Sequence, residues 1–233
     1  MSLLDRPVYT FREVDRLLGL NQGTARRWID GYRRSGRLYQ PIVRDKRTSE
    51  PWVTWGEFTE TRLLSEYRDL NDIRIRKLRV VVEHLRRETG HRYPLAYAQP
   101  FLQPHGREIL LRAQQAAGEE NLLVAVRTGQ LVMTPRAERF VHSATYEADP
   151  GGSQQDQVIA VRFRADPRYP DVVNDPEQRS GRPTIVGRNI LVTTLADMVL
   201  SGDGVEEVAD WYDLTADQVQ QAVDFTATHN LVA

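Results

Sequence analysis

The chain has 233 residues, 40% hydrophobic and 27% charged, with 31 Lys and Arg against 32 Asp and Glu and no cysteine. These proportions suit a soluble globular protein of one large domain or two to three small ones and exclude a disordered chain. The absence of cysteine excludes disulfides and thiolate metal sites, no apolar run approaches the roughly 18 residues of a membrane span, and no signal pattern opens the chain, so a cytoplasmic protein without a membrane partner is expected.

The net charge of −1 conceals an asymmetry. Residues 1–90 hold 19 Lys and Arg against 13 Asp and Glu, whereas residues 91–233 hold 12 against 19. From Asn189 onward there are eight acids and neither Lys nor Arg. One end is suited to a polyanion and the other to something else.

In "YTFREVDRLLGLNQGTARRWIDGY" (Tyr9–Tyr32), Phe11, Val14, Leu17 and Leu18 recur at helical spacing and form one apolar face. Thr10 with Glu13 is a capping box for this helix. Gly19 falls where the turn between two crossed helices needs a left-handed residue. Asn21 caps a second helix with Ala25, Trp28 and Ile29 inside and Gln22, Arg26, Arg27 and Asp30 outside. This is the pattern of a helix-turn-helix whose second helix carries the reading side chains; a plain helical hairpin with a solvated Arg pair is the alternative.

"RRSGRLYQPIVRDKRTSEPWV" (Arg33–Val53) is short, basic and broken by Gly36, Pro41 and Pro51, the profile of a β-ribbon wing with Arg44, Lys46 and Arg47 near its tip. A second capping box, Thr54 with Glu57, opens the next helix, and a further helix over 72–89 is closed by Gly90. The layout carried by "YTFREVDRLLGLNQGTARRW" and "VTWGEFTETRLLSEYRD" resembles the DNA-binding domain of the MerR family over about the first 90 residues. That resemblance implies duplex DNA binding. Gln22, Thr24, Arg26 and Arg27 would face the DNA, and Arg33, Arg44, Lys46 and Arg47 would neutralise phosphates, with counterion release making the affinity salt-dependent. The residues leave open which of them touches a base. The 72–89 helix is short for a MerR dimer helix and there is no cysteine, so a MerR-like metal sensor is not expected.

From 92 to 170 a β-rich module is expected. "EILLRA", "NLLVAVRTGQLVM" and "QVIAVRFRA" favour strands, "TPRAERF" starts a short helix at Thr134, and Glu147–Asp156 is a turn-rich loop. No Ser-His-Asp grouping, phosphate loop or Gly-rich cofactor turn is visible, and the five histidines (His84, His91, His105, His142, His229) lack metal-ligand spacing. No enzyme activity, metal or cofactor is expected.

The acidic end, 171–233, carries three helical patterns: Leu195, Met198 and Val199; Val205, Val208 and Ala209; and Val219, Ala222 and Val223, with Thr215 capping the last. The string "NDPEQRSGRPTIVGRNILVTTLADMVLSGDGVEEVADWYDLTADQVQQAVDF" resembles, from about Val172 to Phe225, a small bacterial domain of formerly unknown function found in antitoxins of VapB-type modules and often encoded beside a PIN-like ribonuclease. An acidic surface beside duplex phosphate costs Coulomb energy, so these helices are assigned to protein contacts, with a toxin or with a second copy. Asp210, Asp213 and Asp217 are the expected acidic contacts. VapB antitoxins commonly block the toxin's acidic site with an arginine, which here Arg182, Arg188 or Arg162, Arg164 and Arg168 would have to supply.

The expected protein is α+β: a winged helix-turn-helix over 1–91, a β-rich middle over 92–170 and a three-helix module over 171–233. The resemblances imply a homodimeric antitoxin of a type II toxin–antitoxin module that binds operator DNA, represses its own operon and neutralises a PIN-like ribonuclease. The alternative is a stand-alone MerR-like regulator whose middle module senses a small molecule.

Overall fold

Short-range capping sets where the first helices begin. In the computed structural model, which describes residues 2–68, 72–149 and 157–231, β1 (Pro7–Thr10) leads straight into α1 (Phe11–Leu17). The Thr10 hydroxyl accepts from the Glu13 amide at 3.3 Å, and the Glu13 carboxylate accepts from the Thr10 amide at 2.7 Å, the expected capping box. Val14, Leu17 and Leu18 are buried, and Gly19 turns the chain at φ 59°. α2 (Thr24–Asp30) then packs on α1 through the fully buried Ala25 and Ile29.

β2 (Tyr32–Arg34) and β3 (Arg37–Tyr39) form a hairpin about Ser35 and Gly36, whose φ values of 49° and 76° are those of a type I′ turn. The Tyr32 and Tyr39 rings stack across it at 4.6 Å. β4 (Trp52–Thr54) pairs antiparallel with β1. The Thr54–Glu57 capping box starts α3 (Trp55–Ser65), which is buried from Trp55 to Leu64. α4 (Asp72–Thr89) ends at Gly90, φ 71°, as the sequence predicts.

The middle segment is more helical than expected. α5 (Gln99–Leu102) and α6 (Pro104–Ala116) precede the hairpin of β5 (Val124–Arg127) and β6 (Gln130–Met133), followed by α7 (Pro135–Ser143) and β7 (Ala144–Ala148). "EILLRA", read as a strand, lies inside α6. Its Ile109, Leu110 and Ala113 form a buried helical face, and α6 packs on α4. Gly106 lets the first turn of α6 lie against α5, since a Cβ there would come 2.0 Å from the Gln99 carbonyl oxygen. Thr134 caps α7 as expected. Of the turn-rich loop expected over Glu147–Asp156, residues 150–156 lie outside the described residues.

By internal contacts the chain divides into Met1–Val161 and Arg162–Ala233. The packing of α6 on α4 bridges the boundary expected at 91, and the one expected at 170 falls inside a strand pairing. β8 (Val158–Asp166) crosses the division, and its end pairs antiparallel with β9 (Tyr169–Asn174), Phe163 opposite Asn174. In the second unit β10 (Thr184–Ile185) pairs with the other edge of β9. α8 (Val192–Leu200), α9 (Val205–Tyr212) and α10 (Ala216–Thr228) follow, with α10 packed on α8, α9 and β9. Leu195, Val208, Val219, Ala222 and Phe225 are fully buried among them. Among the described residues no helix is long and apolar enough to cross a membrane.

A buried ionic cluster organises the first unit. Arg44, expected at the wing tip, is 6% exposed. Its Nε donates to Glu57 Oε1 at 2.7 Å, Nη1 to Asp30 Oδ1 at 3.0 Å, and Nη2 to the Trp52 carbonyl at 2.7 Å. The expected ribbon is therefore shorter: its tip is Arg34–Arg37, and Pro41–Arg44 turns inward. Nearby, Arg86 donates from Nη2 to Glu60 Oε2 at 3.3 Å and to the Val43 carbonyl.

Replacing Arg44 by Met leaves Asp30 and Glu57 buried without their cation and should cost about 3–5 kcal/mol in urea unfolding. Lys46→Ala, at the surface, should stay within about 0.5 kcal/mol. Glu60 supplies a pH signature. Burial pushes its carboxyl up to about 7 from 4.5, against the pull of Arg86 and the Leu95 amide. Between those values the folded chain keeps a proton that the unfolded chain has lost, so stability falls as pH rises through this window, by ~1–3 kcal/mol. Unfolding at a series of pH values should show this slope flattened in Glu60→Gln.

Candidate functional site

The residues expected to face nucleic acid separate into exposed and structural groups. Arg26 and Arg27 are exposed on α2, and the Arg26 guanidinium lies 5.9 Å from the centre of the Phe11 ring; Gln22, expected on the same helical face, is exposed in the turn before the helix. Thr24 is buried, with its hydroxyl accepting from Arg27 Nη2 at 2.8 Å. Asp30, read as part of the outer face, is 1% exposed. It accepts from the Thr48 amide at 2.9 Å and from Arg47 Nε at 3.4 Å. Lys46 and Arg47 are exposed, as is Arg33 on the hairpin. Arg44 is not on this surface; its guanidinium is consumed by the cluster under it.

Two exposed arginines at the hairpin tip, Arg34 and Arg37, were missed by sequence reasoning. The signal for them was the Ser35–Gly36 pair, which marks a two-residue turn once the ribbon is shortened. Arg37 lies 5.6 Å from the Tyr39 ring centre. Arg27 and Arg37 come together on a cleft of about 950 Å³ between α2, the hairpin and α4, with Trp28, Tyr32, Tyr39 and Val80 on its walls. The surface thus combines guanidinium groups with aromatic faces, a combination suited to phosphate and base contacts.

The start of α2 is fixed from outside its own segment. Asn21 is not its cap: the N-cap is Gly23, left-handed at φ 82°, which has no side chain to offer. The carboxylate of Asp15 on α1 does the work instead, accepting from the Gly23 amide at 2.6 Å and the Ala25 amide at 2.7 Å. Burial raises the Asp15 carboxyl above its usual value, opposed by the amides of Ala25 and Gly23 and the charge of Arg27.

In the second unit, Asp210, Asp213 and Asp217 are exposed along α9 and α10. Two of the expected partner contacts are joined to each other: Arg188 Nη2 donates to the Asp213 carbonyl at 2.7 Å and to its carboxylate. Asp217 accepts from Gln221 Nε2 at 2.7 Å, and Arg182 is exposed. Arg162 pairs with Asp175 at 3.2 Å and Arg168 with Asp166 at 2.7 Å, while Arg164 is exposed on β8. Although burial works against it, Arg168 and His229 hold the Asp166 carboxyl down at about 2.

Asp15→Ala removes both amide acceptors at the start of α2 and should lower stability by about 1–2 kcal/mol. Hydrogen exchange should show the loss of protection concentrated at Gly23 and Ala25. Equal protection in the variant and the parent at those amides would count against the cap.

The family described as "Protein of unknown function (DUF433)" matches residues 172–226, the stretch in which the sequence resemblance ran. "Uncharacterized protein Rv2308" of Mycobacterium tuberculosis is 41% identical over 230 residues, covering 99% of this chain and 94% of the relative. "Putative antitoxin VapB45" of the same organism is 28% identical over 244 residues, covering 96% and 95%. The crystal structure of Rv2018 from Mycobacterium tuberculosis shares the fold, with a TM-score of 0.72 at 24% identity over 95% of this chain and 99% of that one. With 41% identity sustained along almost all of both chains, this protein belongs to the family of Rv2308.

Proposed function

We propose that the chain is the antitoxin of a type II toxin–antitoxin module. In this reading it is a cytoplasmic homodimer without catalytic activity of its own. The first unit binds operator DNA and represses the operon, and the second unit serves protein contacts, including neutralisation of a PIN-like ribonuclease. The observation that carries the reading is the end-to-end similarity to the relative named "Putative antitoxin VapB45".

Physical features support each half. Arg26 and Arg27 project from α2, Arg33, Arg34 and Arg37 from the adjoining hairpin, and Lys46 and Arg47 from the loop held by Asp30. Each phosphate neutralised by such a group contributes about −0.9 to the slope of log affinity against log salt. A single small head buries little DNA, so two heads on an inverted repeat supply the specificity an operator needs. The second unit has the opposite sign, with no Lys or Arg after Arg188. Laid against phosphate it would be repelled, and laid against a protein it is free to select a basic surface.

The test joins both halves. Arg26→Ala with Arg27→Ala should weaken binding to DNA from upstream of the gene by about 2–6 kcal/mol if both contacts are used, with the melting temperature unchanged. The same variant should still suppress cleavage by a PIN-like ribonuclease encoded beside it. Unchanged mobility shifts would remove the DNA-binding half, and uninhibited cleavage with the parent chain would remove the antitoxin half.

A further inference from the structure

The second unit is divided electrically. The segment between β9 and α8 exposes Arg179, Arg182 and Arg188 against one exposed acid, Glu177, whereas Asn189 to the C-terminus has eight acids and neither Lys nor Arg. The basic segment is held in a conformation that L residues avoid. Arg179, Ser180 and Gly181 are successively left-handed, at φ 47°, 55° and 81°. Buried side chains enforce it: Asn174 Nδ2 donates to the Gly181 carbonyl at 3.0 Å, and Asp175 accepts from the Glu177 amide at 2.9 Å. Strain of this kind persists where the surroundings over-determine the backbone, and it concentrates where binding groups must be held still.

The acidic side carries an apolar anchor. Trp211 on α9 is 55% exposed, beside Asp210 and one helical turn from Glu207. The basic ridge has its own exposed apolar residue, Val186, at 37%. The two patches adjoin, because Arg188 of the ridge bonds to Asp213 at the end of α9. A surface bearing a basic and an acidic patch side by side becomes complementary to itself after a two-fold rotation. Arg and Trp are also the residue types on which interface energy concentrates.

We propose that two copies of this chain pair through this face, the Arg179–Arg182 ridge of one copy resting on the acid-flanked Trp211 of the other. The proposal rests on the homodimer reading above and assigns its surface. Its alternative occupant, a ribonuclease toxin, is an outcome of the test.

Sedimentation velocity on the full chain decides it, using Arg182→Glu as one variant and Glu207→Arg with Asp210→Arg as the other. All three positions are exposed, and unchanged thermal melts verify the fold. The parent should be dimeric at micromolar concentration and weaken with salt. Each variant alone places like charges at both contacts and should dimerise at least about tenfold more weakly. An equimolar mixture should dimerise again, because in the mixed dimer both contacts are complementary. A monomeric parent would overturn the proposal together with the homodimer reading. A dimeric parent whose variants also stay dimeric would overturn the surface alone. Variants that stay dimeric but no longer bind the ribonuclease would give this face to the toxin, which also overturns the proposal.

Discussion

The guanidinium of Arg44 is the contact on which the surface of the first unit depends. It joins the end of α2 through Asp30, the start of α3 through Glu57, and the strand before α3 through the Trp52 carbonyl. All three nitrogens are engaged, as burial of a permanent cation requires. A cluster of this kind contributes little net stability over an apolar substitute, but breaking it is costly, so its value lies in fixing one arrangement. Asp30 also accepts from the amides of Thr48 and Ser49, at 2.9 and 3.3 Å. The loop at Thr48 and Ser49 is thereby tied to α2, with Lys46 exposed and Arg47, also exposed, reaching back to Asp30 at 3.4 Å.

What was legible in the sequence was what local chemistry decides. Thr10 with Glu13 and Thr54 with Glu57 are capping boxes closed within four residues, and Gly19 and Gly90 mark turns by backbone freedom alone. What was not legible depends on partners distant in sequence. The cap of α2 belongs to Asp15, on the preceding helix, so inspection of Asn21 could not find it. Arg44 reads as one more basic residue in a basic stretch until Asp30 and Glu57 are brought to it by the fold. "EILLRA" is short and apolar enough for either periodicity, and the packing of α6 on α4 selects the helix. Candidate site residues divide the same way: Arg26 and Arg27 follow from helical phase, whereas Arg34 and Arg37 require the hairpin register.

The acidic helices show how weakly internal packing constrains an outer surface. α8, α9 and α10 are held by Leu195, Val208, Val219, Ala222 and Phe225, all fully buried. Those inner positions fix the helical arrangement and leave Glu206, Glu207, Asp210, Asp217 and Asp224 outside. Helices of this layout suit a nucleic-acid reader or a protein contact equally well in shape, and charge separates the two. Next to phosphate every one of these carboxylates is repulsive; next to guanidinium groups every one is attractive.

The second unit combines that charge with rigidity at its basic end. Asp213 closes α9 in a left-handed conformation, φ 52°, which Asp tolerates better than most residues. Arg188 bonds to its carbonyl and its carboxylate, placing a cation at the helix end where the backbone dipole favours one. On the other side of the ridge, Asn174 and Asp175 hold Arg179–Gly181 in place before any contact is made. Long arginine side chains lose rotamer freedom when they dock, and a backbone that is already ordered adds nothing further to that loss. A flexible loop with the same three arginines would carry the same charge but would have to be ordered at the moment of association. Strain accepted in folding is in this way exchanged for a smaller entropic cost in binding.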